Sequence, residues 1–149
     1  MKLKQKIYDH YLQVINDRVA MLQRVLADLK ESGANETKST AGDKHETALA
    51  MLQIEQVNTR GQLQELLLQR SAFEKLDPEV SAPMVVNGSL IKTNRGYLFM
   101  SVALGKAVID NITVMALSPQ SPLGNKLMGL KAGVSVCINN LEYIIESTE

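Results

Sequence analysis

Two acidic residues lie three positions apart where a helical pattern begins. Asp43 and Glu46 stand in the segment Gly42-Asp43-Lys44-His45-Glu46, after a polar stretch and before a run of helix-forming residues. An aspartate ahead of the first turn with a glutamate three residues later is typical of a capping box, which pairs N–H groups at the helix start. Capped carboxylates still offer free oxygens to a cation, so a structural role and a metal-binding role are both open.

Other residues that could perform chemistry are few. The chain has one cysteine, Cys137, and two histidines. A single cysteine excludes an intramolecular disulfide and a multi-cysteine metal site, which is typical of a reducing compartment. Two glycine-rich patterns bind phosphate groups, G-x-G-x-x-G and G-x-x-x-x-G-K-[ST], and neither occurs in this sequence. The spacing of the candidate residues also defines no catalytic triad. We therefore expect no enzyme activity from this chain alone.

The charge balance disfavours direct binding of nucleic acid. The 149 residues contain 16 Lys and Arg against 16 Asp and Glu, so the formal net charge is zero. Proteins that bind a duplex usually carry a basic excess that releases phosphate counterions. Aromatic residues make up 4% of the chain, too few for a platform of stacked bases. No apolar run approaches the ~18 residues that span a membrane, so we expect a soluble, cytoplasmic protein without a membrane partner.

The first half of the chain has the pattern of a helical hairpin. Residues 1–75 contain no proline and are rich in helix formers. Apolar residues follow a heptad spacing at Tyr8, Leu12, Ile15, Val19, Leu22, Leu26 and Leu29. This spacing predicts a first helix over about 4–31, followed by a small, polar loop over 32–42. The sequence therefore predicts an antiparallel coiled coil within residues 1–76, with its apex in 32–46.

The second helix carries a less regular seam. Apolar residues resume the heptad spacing at Leu49, Leu52, Leu63, Leu66 and Phe73. Gln56 and Thr59 fall at positions that should also be buried, and Gly61 weakens the same stretch. We expect a bend or loose packing there.

The second half, residues 80–149, has the pattern of a small antiparallel sheet. Five strands are predicted, over 84–91, 96–104, 107–116, 134–138 and 141–146. Hairpin turns are predicted at 94–96, at Gly105-Lys106 and at Asn139-Asn140, because Gly and Asn tolerate a positive φ. A short helix should begin after Ser121 and end at Gly129, packed on the sheet by Leu123, Leu127 and Met128. The predicted fold class is thus α+β.

A helical hairpin followed by a small sheet with one helix is an uncommon order of elements. Together with its local motifs, the sequence resembles the GreA/GreB transcript cleavage factor family. The segments that carry the resemblance are 117–134, with its Ser-Pro and Leu-Met-Gly motifs, and the ending Leu-Glu-Tyr-Ile-Ile-Glu at 141–146. In the first half, Gly42-Asp43-Lys44-His45-Glu46 follows the family's G-D-x-x-E tip pattern, and Ala48 matches an alanine of that pattern.

The resemblance implies a specific function. It implies an FKBP-like C-terminal domain that docks on bacterial RNA polymerase near the secondary channel, with Ser121, Pro122, Leu123 and Gly124 as contact residues. It further implies a coiled coil that enters the channel and stimulates cleavage of backtracked RNA by the polymerase. Asp43 and Glu46 would then help to hold a catalytic Mg²⁺ only within that complex, with no cofactor bound stably by the chain alone. RNA would be met only inside the polymerase.

The sequence departs from the family next to these two acids. Asn-Ala-x-Tyr follows the glutamate in the family, whereas Thr47-Ala48-Leu49-Ala50 stands here. Glu36 is a further acidic candidate near the apex. Two alternatives therefore stay open: a regulator that occupies the polymerase channel without stimulating cleavage, and an interaction module whose hairpin self-associates or grips another protein.

Overall fold

The computed structural model describes residues 2–36 and 42–149, with side chains described at 2–34 and 46–149. Within these described ranges, three helices and six strands follow one another. They are α1 (Leu3–Glu36), α2 (Gly42–Glu74), β1 (Leu90–Thr93), β2 (Gly96–Met100), β3 (Gly105–Ile109), β4 (Ile112–Leu117), α3 (Pro122–Leu127), β5 (Ser135–Ile138) and β6 (Leu141–Thr148). The α+β class with an N-terminal helical hairpin is confirmed.

Two compact units share the long helices. One unit is Gln13–Arg70, and the other combines Met1–Leu12 with Ser71–Glu149. The division therefore runs through α1 and α2, whereas the sequence pattern divides the chain at residues 76–80. Within the part of the chain that the structure describes, no helix is long and apolar enough to cross a membrane.

The hairpin unit, residues 13–70, is held by antiparallel pairing of α1 and α2. Gln56 donates a hydrogen bond from its side-chain amide to the carbonyl oxygen of Leu29 at 3.3 Å, and Arg70 donates one to the side-chain oxygen of Asn16 at 3.3 Å. Residues later in α2 thus contact residues earlier in α1, as in an antiparallel hairpin. The two helices have 34 and 33 residues, or about nine turns each, and packing against each other supplies most of their stability.

The predicted heptad seam is the buried side of the hairpin. Its apolar members are buried at Ile15, Val19 and Leu66 and half-buried at Leu22, Leu26, Leu29, Leu49, Leu52 and Leu63. Thr59 is 6% exposed and Gln56 is half-buried. The two polar residues thus occupy seam positions, as predicted.

The predicted loop begins too early in the chain. Residues 32–36 are helical, so α1 reaches Glu36 instead of ending at residue 31. Polar residues such as Ser32 and Glu36 can continue a helix that packing has already nucleated, because propagation costs little once the first turns exist. Residues 37–41, part of the predicted apex, lie outside the described residues.

The sheet belongs to the second unit and is mixed rather than wholly antiparallel. Its strand order is β3-β4-β2-β1-β6-β5. Four of the five neighbouring pairs are antiparallel, but β2 and β4 pair in parallel, with Tyr97 opposite Val114 and Met100 opposite Leu117. The predicted succession of hairpins is wrong at this point, because β3 lies beyond β4 and not beside β2.

Turn chemistry explains the difference. The segment predicted as one strand over 107–116 is divided by Asp110 and Asn111, whose φ values are 52° and 62°. Two consecutive positive φ values define the hairpin turn that matches the twist of the flanking strands. The second hairpin therefore closes here, and Gly105, with φ 81°, begins β3 instead of forming a turn. The prediction at Asn139-Asn140 is confirmed by φ values of 48° and 64°.

The first two strands are shorter than predicted. β1 begins at Leu90, and Met84 forms only an isolated bridge with Lys131. β2 ends at Met100, and β6 extends two residues beyond the predicted end, to Thr148.

Both faces of the sheet are covered within this unit. On one face, Leu123 and Leu127 of α3 join a buried cluster with strand residues that include Ile91, Met100 and Ile145. Side chains alternate between faces along a strand, and Phe99 accordingly points to the other face. There the ring of Phe99 lies 6.3 Å from that of Tyr11 in α1 and 5.9 Å from that of Phe73 in α2.

Candidate functional site

The start of α2 carries the two acids that the sequence singled out. α2 begins at Gly42, so Asp43 lies within the first turn instead of preceding it as the predicted cap. Residues three apart lie on the same face of a helix, which places Asp43 and Glu46 on one face. The positive end of the helix dipole favours carboxylates at this position.

The described part of this site is limited to Glu46. Its side chain is exposed, as a group that meets a ligand or a partner must be. The side chains of Asp43 and Glu36 lie outside those described. The predicted pairing of Asp43 and Glu46 around one ion therefore stays a prediction.

The hairpin register determines where along the helices Glu46 lies. Gln56 contacts Leu29 across the hairpin, and Glu46 is ten residues earlier in α2, about 15 Å towards the helix start at 1.5 Å per residue. The exposed acid therefore lies near the first residue of α2, Gly42.

The two acids are of a residue type that can bind a divalent cation. Mg²⁺ demands six oxygen ligands in near-octahedral geometry, and Asp43 with Glu46 would supply two carboxylates. Among residues 2–34 and 46–149, no group of three or more His, Cys, Asp or Glu side chains could hold a metal ion.

The four residues predicted to contact a partner form the start of α3. Ser121 is the N-cap: its hydroxyl accepts a hydrogen bond from the backbone N–H of Gly124 at 3.0 Å and donates one to the carbonyl oxygen of Ser118 at 2.7 Å. Leu123 is 8% exposed and Gly124 is buried, whereas Pro122 is exposed and Ser121 half-exposed. Only Ser121 and Pro122 therefore present surface to a partner, and the other two stabilise α3.

The sheet unit contains buried groups with a shifted pKa. Burial lowers the pKa of Lys4, an effect that the charges of Glu149 and Asp77 oppose. Its ammonium donates a hydrogen bond to the carbonyl oxygen of Val80 at 2.6 Å. Burial also raises the pKa of Tyr11, which is consistent with structural roles for both groups.

A second apolar surface lies on α2, outside the predicted heptad seam. Four large apolar side chains of this helix are at least 60% exposed: Met51, Ile54, Val57 and Leu68. A second heptad spacing, offset from the first, is present in the sequence and includes Ile54, Val57 and Leu68.

Comparisons with known proteins add little to this geometry. No family model and no curated protein matches the sequence. Among solved structures, the chain is similar to that of the transcription factor Gfh1, at 16% identity and a TM-score of 0.32, over 99% of this chain and 94% of that chain. A similarity this low carries no argument about function.

Proposed function

We propose that this chain is a transcription elongation factor of the GreA/GreB type that binds bacterial RNA polymerase at the secondary channel. The observation that carries the proposal is the exposed side chain of Glu46 near the start of α2, within the G-D-x-x-E motif of residues 42–46. The sequence motifs at 42–48, 117–134 and 141–146 support the same family. The proposal places the protein in the cytoplasm, where the polymerase acts.

In this proposal the chain assists a reaction that the polymerase performs. A Mg²⁺ ion shared with the polymerase would stabilise the charge that develops on the phosphate and lower the pKa of a bound water. The carboxylates of Asp43 and Glu46 would position that ion and accept hydrogen bonds from the attacking water. The chain itself would be no enzyme, and RNA would be met only within the complex.

The test separates binding from cleavage. Purified chain is first tested for retention of bacterial RNA polymerase, and failure to retain it would show that the partner is wrong. Stalled complexes are then assayed for RNA cleavage with the wild type, Asp43→Asn and Glu46→Gln. We expect each substitution to lower the cleavage rate by about a hundredfold, the scale of removing one catalytic electrostatic contact, without loss of binding.

Glu55→Gln is the matched control. Glu55 is an exposed glutamate of the same helix, nine residues beyond Glu46, and its neutralisation should leave cleavage unchanged. If wild-type protein binds but none of the substitutions changes cleavage, the non-catalytic channel regulator becomes the better function.

Docking through the start of α3 is tested at Pro122. Substitution of the buried Leu123 or Gly124 would disrupt the fold, so neither can report on a contact. Pro122→Glu introduces a charge at an exposed position and should weaken retention of the polymerase. Gln120→Glu, at an exposed residue two positions earlier, is the control and should have a smaller effect.

A further inference from the structure

A second uncharged heptad stripe runs along α2. We call it the outer stripe; its members are Ala50, Ile54, Val57, Gly61, Gln64, Leu68 and Ser71. The spacing alternates between four and three residues, as in a coiled-coil seam. Every member is exposed, including Ile54 at 60%, Val57 at 64% and Leu68 at 66%.

The outer stripe lies on the side of α2 that faces away from the hairpin seam. Ile54 falls midway between the seam residues Leu52 and Gln56, about 180° around the helix from their mean direction at 3.6 residues per turn. α2 thus presents apolar residues on two opposite faces, and α1 covers only one of them. A helix that is apolar on both faces normally has a partner on each.

Gly61 supplies an independent observation. A methyl group built on Gly61 meets no atom within 4 Å, so packing within the chain does not require a glycine there. A glycine inside a helix is unfavourable relative to alanine, yet this one lies in the middle of the outer stripe. Its lack of a side chain allows a second helix to approach the backbone closely.

The charged residues beside the outer stripe indicate which helix would pack against it. With Gly61 and Ile54 at a positions of the heptad, Arg60 is at a g position and Glu65 at an e position. In a parallel coiled coil, a g residue faces the e residue five positions later on the other helix. Arg60 of each copy would therefore meet Glu65 of the other, which gives two opposite-charge pairs per dimer.

An antiparallel arrangement lacks this complementarity. Antiparallel helices bring g residues opposite g residues, and the other g positions along the outer stripe are Gln53 and Leu67. When the whole stripe overlaps, Arg60 faces Arg60 of the other copy. The acidic g positions of α2, Glu46 and Glu74, lie beyond the ends of the stripe and meet Arg60 only when the two helices overlap in part. The charges favour the parallel pair.

We infer that α2 pairs in parallel with α2 of a second copy of this chain along the outer stripe. The pairing uses surface that the hairpin seam leaves exposed, and it is independent of the proposed binding to RNA polymerase. All tests of it use the full chain without polymerase, so its failure and the failure of the proposed function are distinguishable.

The first test measures mass against concentration by sedimentation equilibrium. Wild-type protein should shift from the mass of one 16.4-kDa chain to that of two between about 1 µM and about 1 mM, the range of weak complexes. Ile54→Glu places like charges opposite each other and should weaken the dimer at least about tenfold. Wild-type protein that stays monomeric throughout would overturn the inference.

Met21→Glu is the matched control for loss of an exposed apolar side chain. Met21 is 56% exposed but belongs to α1, outside the outer stripe. This variant should dimerise as the wild type does. Equal weakening by Met21→Glu and Ile54→Glu would show association through nonspecific apolar contacts and would overturn the assignment of the stripe.

The second test reverses the charges that select the partner. Arg60→Glu should weaken the dimer because the new carboxylate faces Glu65 of the other copy. The double variant Arg60→Glu with Glu65→Arg should restore dimerisation because it restores the opposite charges. Arg60 and Glu65 of one chain are five residues apart and are not neighbours on one helix face, so restoration reports a contact between copies. Additive losses in the double variant would contradict the proposed pairing.

The third test determines the orientation by cross-linking. Val57→Cys in a Cys137→Ser background places two thiols opposite each other on the two-fold axis of a parallel pair, within the Cα separation that a disulfide spans. Mild oxidation should yield a covalent dimer, whereas Met21→Cys in the same background should stay monomeric. Association without cross-linking at position 57 would exclude the parallel arrangement.

Discussion

Gly124 lies where α3 passes closest to the chain that precedes it. A methyl group built on Gly124 would stand 2.0 Å from the carbonyl oxygen of Ser118. The neighbouring atom belongs to the backbone, and Ser118 is also held by the hydroxyl of Ser121. A side chain at this position therefore requires the start of α3 to move.

We predict that Gly124→Ala lowers the free energy of unfolding by about 3 kcal/mol, the upper range of overpacking in a well-packed region. Denaturant unfolding measures the change. Gly61→Ala is the control because its methyl group meets no atom within 4 Å, and at concentrations below self-association it should stabilise by about 0.5–1 kcal/mol. Equal effects at the two glycines would contradict the steric explanation.

Tyr11 couples α1 to the sheet through a hydroxyl group that must stay protonated. Tyr11 is 1% exposed, and its hydroxyl shares its one proton between the carbonyl oxygens of Gly105 at 2.8 Å and Val114 at 3.2 Å. Burial raises the pKa of Tyr11 above its ordinary value of 10.0. The unfolded chain therefore ionises at a lower pH than the folded one.

This shift predicts a pH-dependent contribution to stability. Because the folded-state pKa is raised, the contribution is fully present below pH 10 and falls as the pH rises from about 10 towards the folded-state pKa. Tyr11→Phe should lose about 1–2 kcal/mol near pH 7, from the missing hydrogen bonds. The difference between wild type and Tyr11→Phe should shrink above pH 10, and a difference that grows there would contradict the assignment.

At the scale of elements, α2 has two faces with different residues, the inner seam and the outer stripe. Its inner seam contacts α1 and includes Thr59, which is 6% exposed. Its outer stripe is uncharged and exposed over seven heptad positions. The polar seam residues limit how tightly the hairpin packs, because a buried hydroxyl stabilises less than a methyl group of the same size.

We predict that Thr59→Val stabilises the chain by about 1 kcal/mol, since it replaces a buried hydroxyl with a methyl group while keeping the β-branched shape. Thermal unfolding should show a higher Tm. Thr113→Val is the control: Thr113 is exposed, and its substitution should change stability by less than about 0.5 kcal/mol. A destabilised Thr59→Val variant would show that the hydroxyl has a role in the seam.

At the scale of the whole molecule, burial is unequal along the hairpin unit. Seam residues are buried at Ile15, Val19 and Leu66, but half-buried over 22–29 and 49–56. The sheet unit, by contrast, has fully buried residues on both of its faces, such as Met100 and Phe73. Regions with few buried apolar contacts open with lower free energy.

Hydrogen exchange should therefore follow a gradient. We predict that amides at 22–29 and 49–56 exchange about a hundredfold faster than those of β1 and β2, for a difference in opening free energy of about 3 kcal/mol. Amides at 15–19 and 59–66 should be intermediate. Mass spectrometry of peptides from deuterated protein measures the gradient at a concentration that keeps the chain monomeric, and uniform protection along α1 would contradict it.

Local patterns in the sequence determined the helical hairpin, its seam and several caps and turns. The heptad spacing predicted which residues of α1 are buried, because a helix repeats every 3.6 residues whatever its surroundings. Ser121 and Asn139-Asn140 were recognised from local backbone preferences for the same reason. The pair Asp110-Asn111 is equally typical of a hairpin turn. Because apolar residues flank it on both sides, the segment was predicted as one continuous strand.

Only the tertiary structure decided the sheet topology and the use of the helix faces. A parallel pair such as β2 and β4 joins strands that are distant in sequence, so no local pattern specifies it. Burial of Leu123 and Gly124 likewise depends on what α3 packs against. The sequence singled out Asp43 and Glu46 through a motif, but the exposure of Glu46 and of the outer stripe follows from which side of α2 contacts α1, and that is a property of the folded chain.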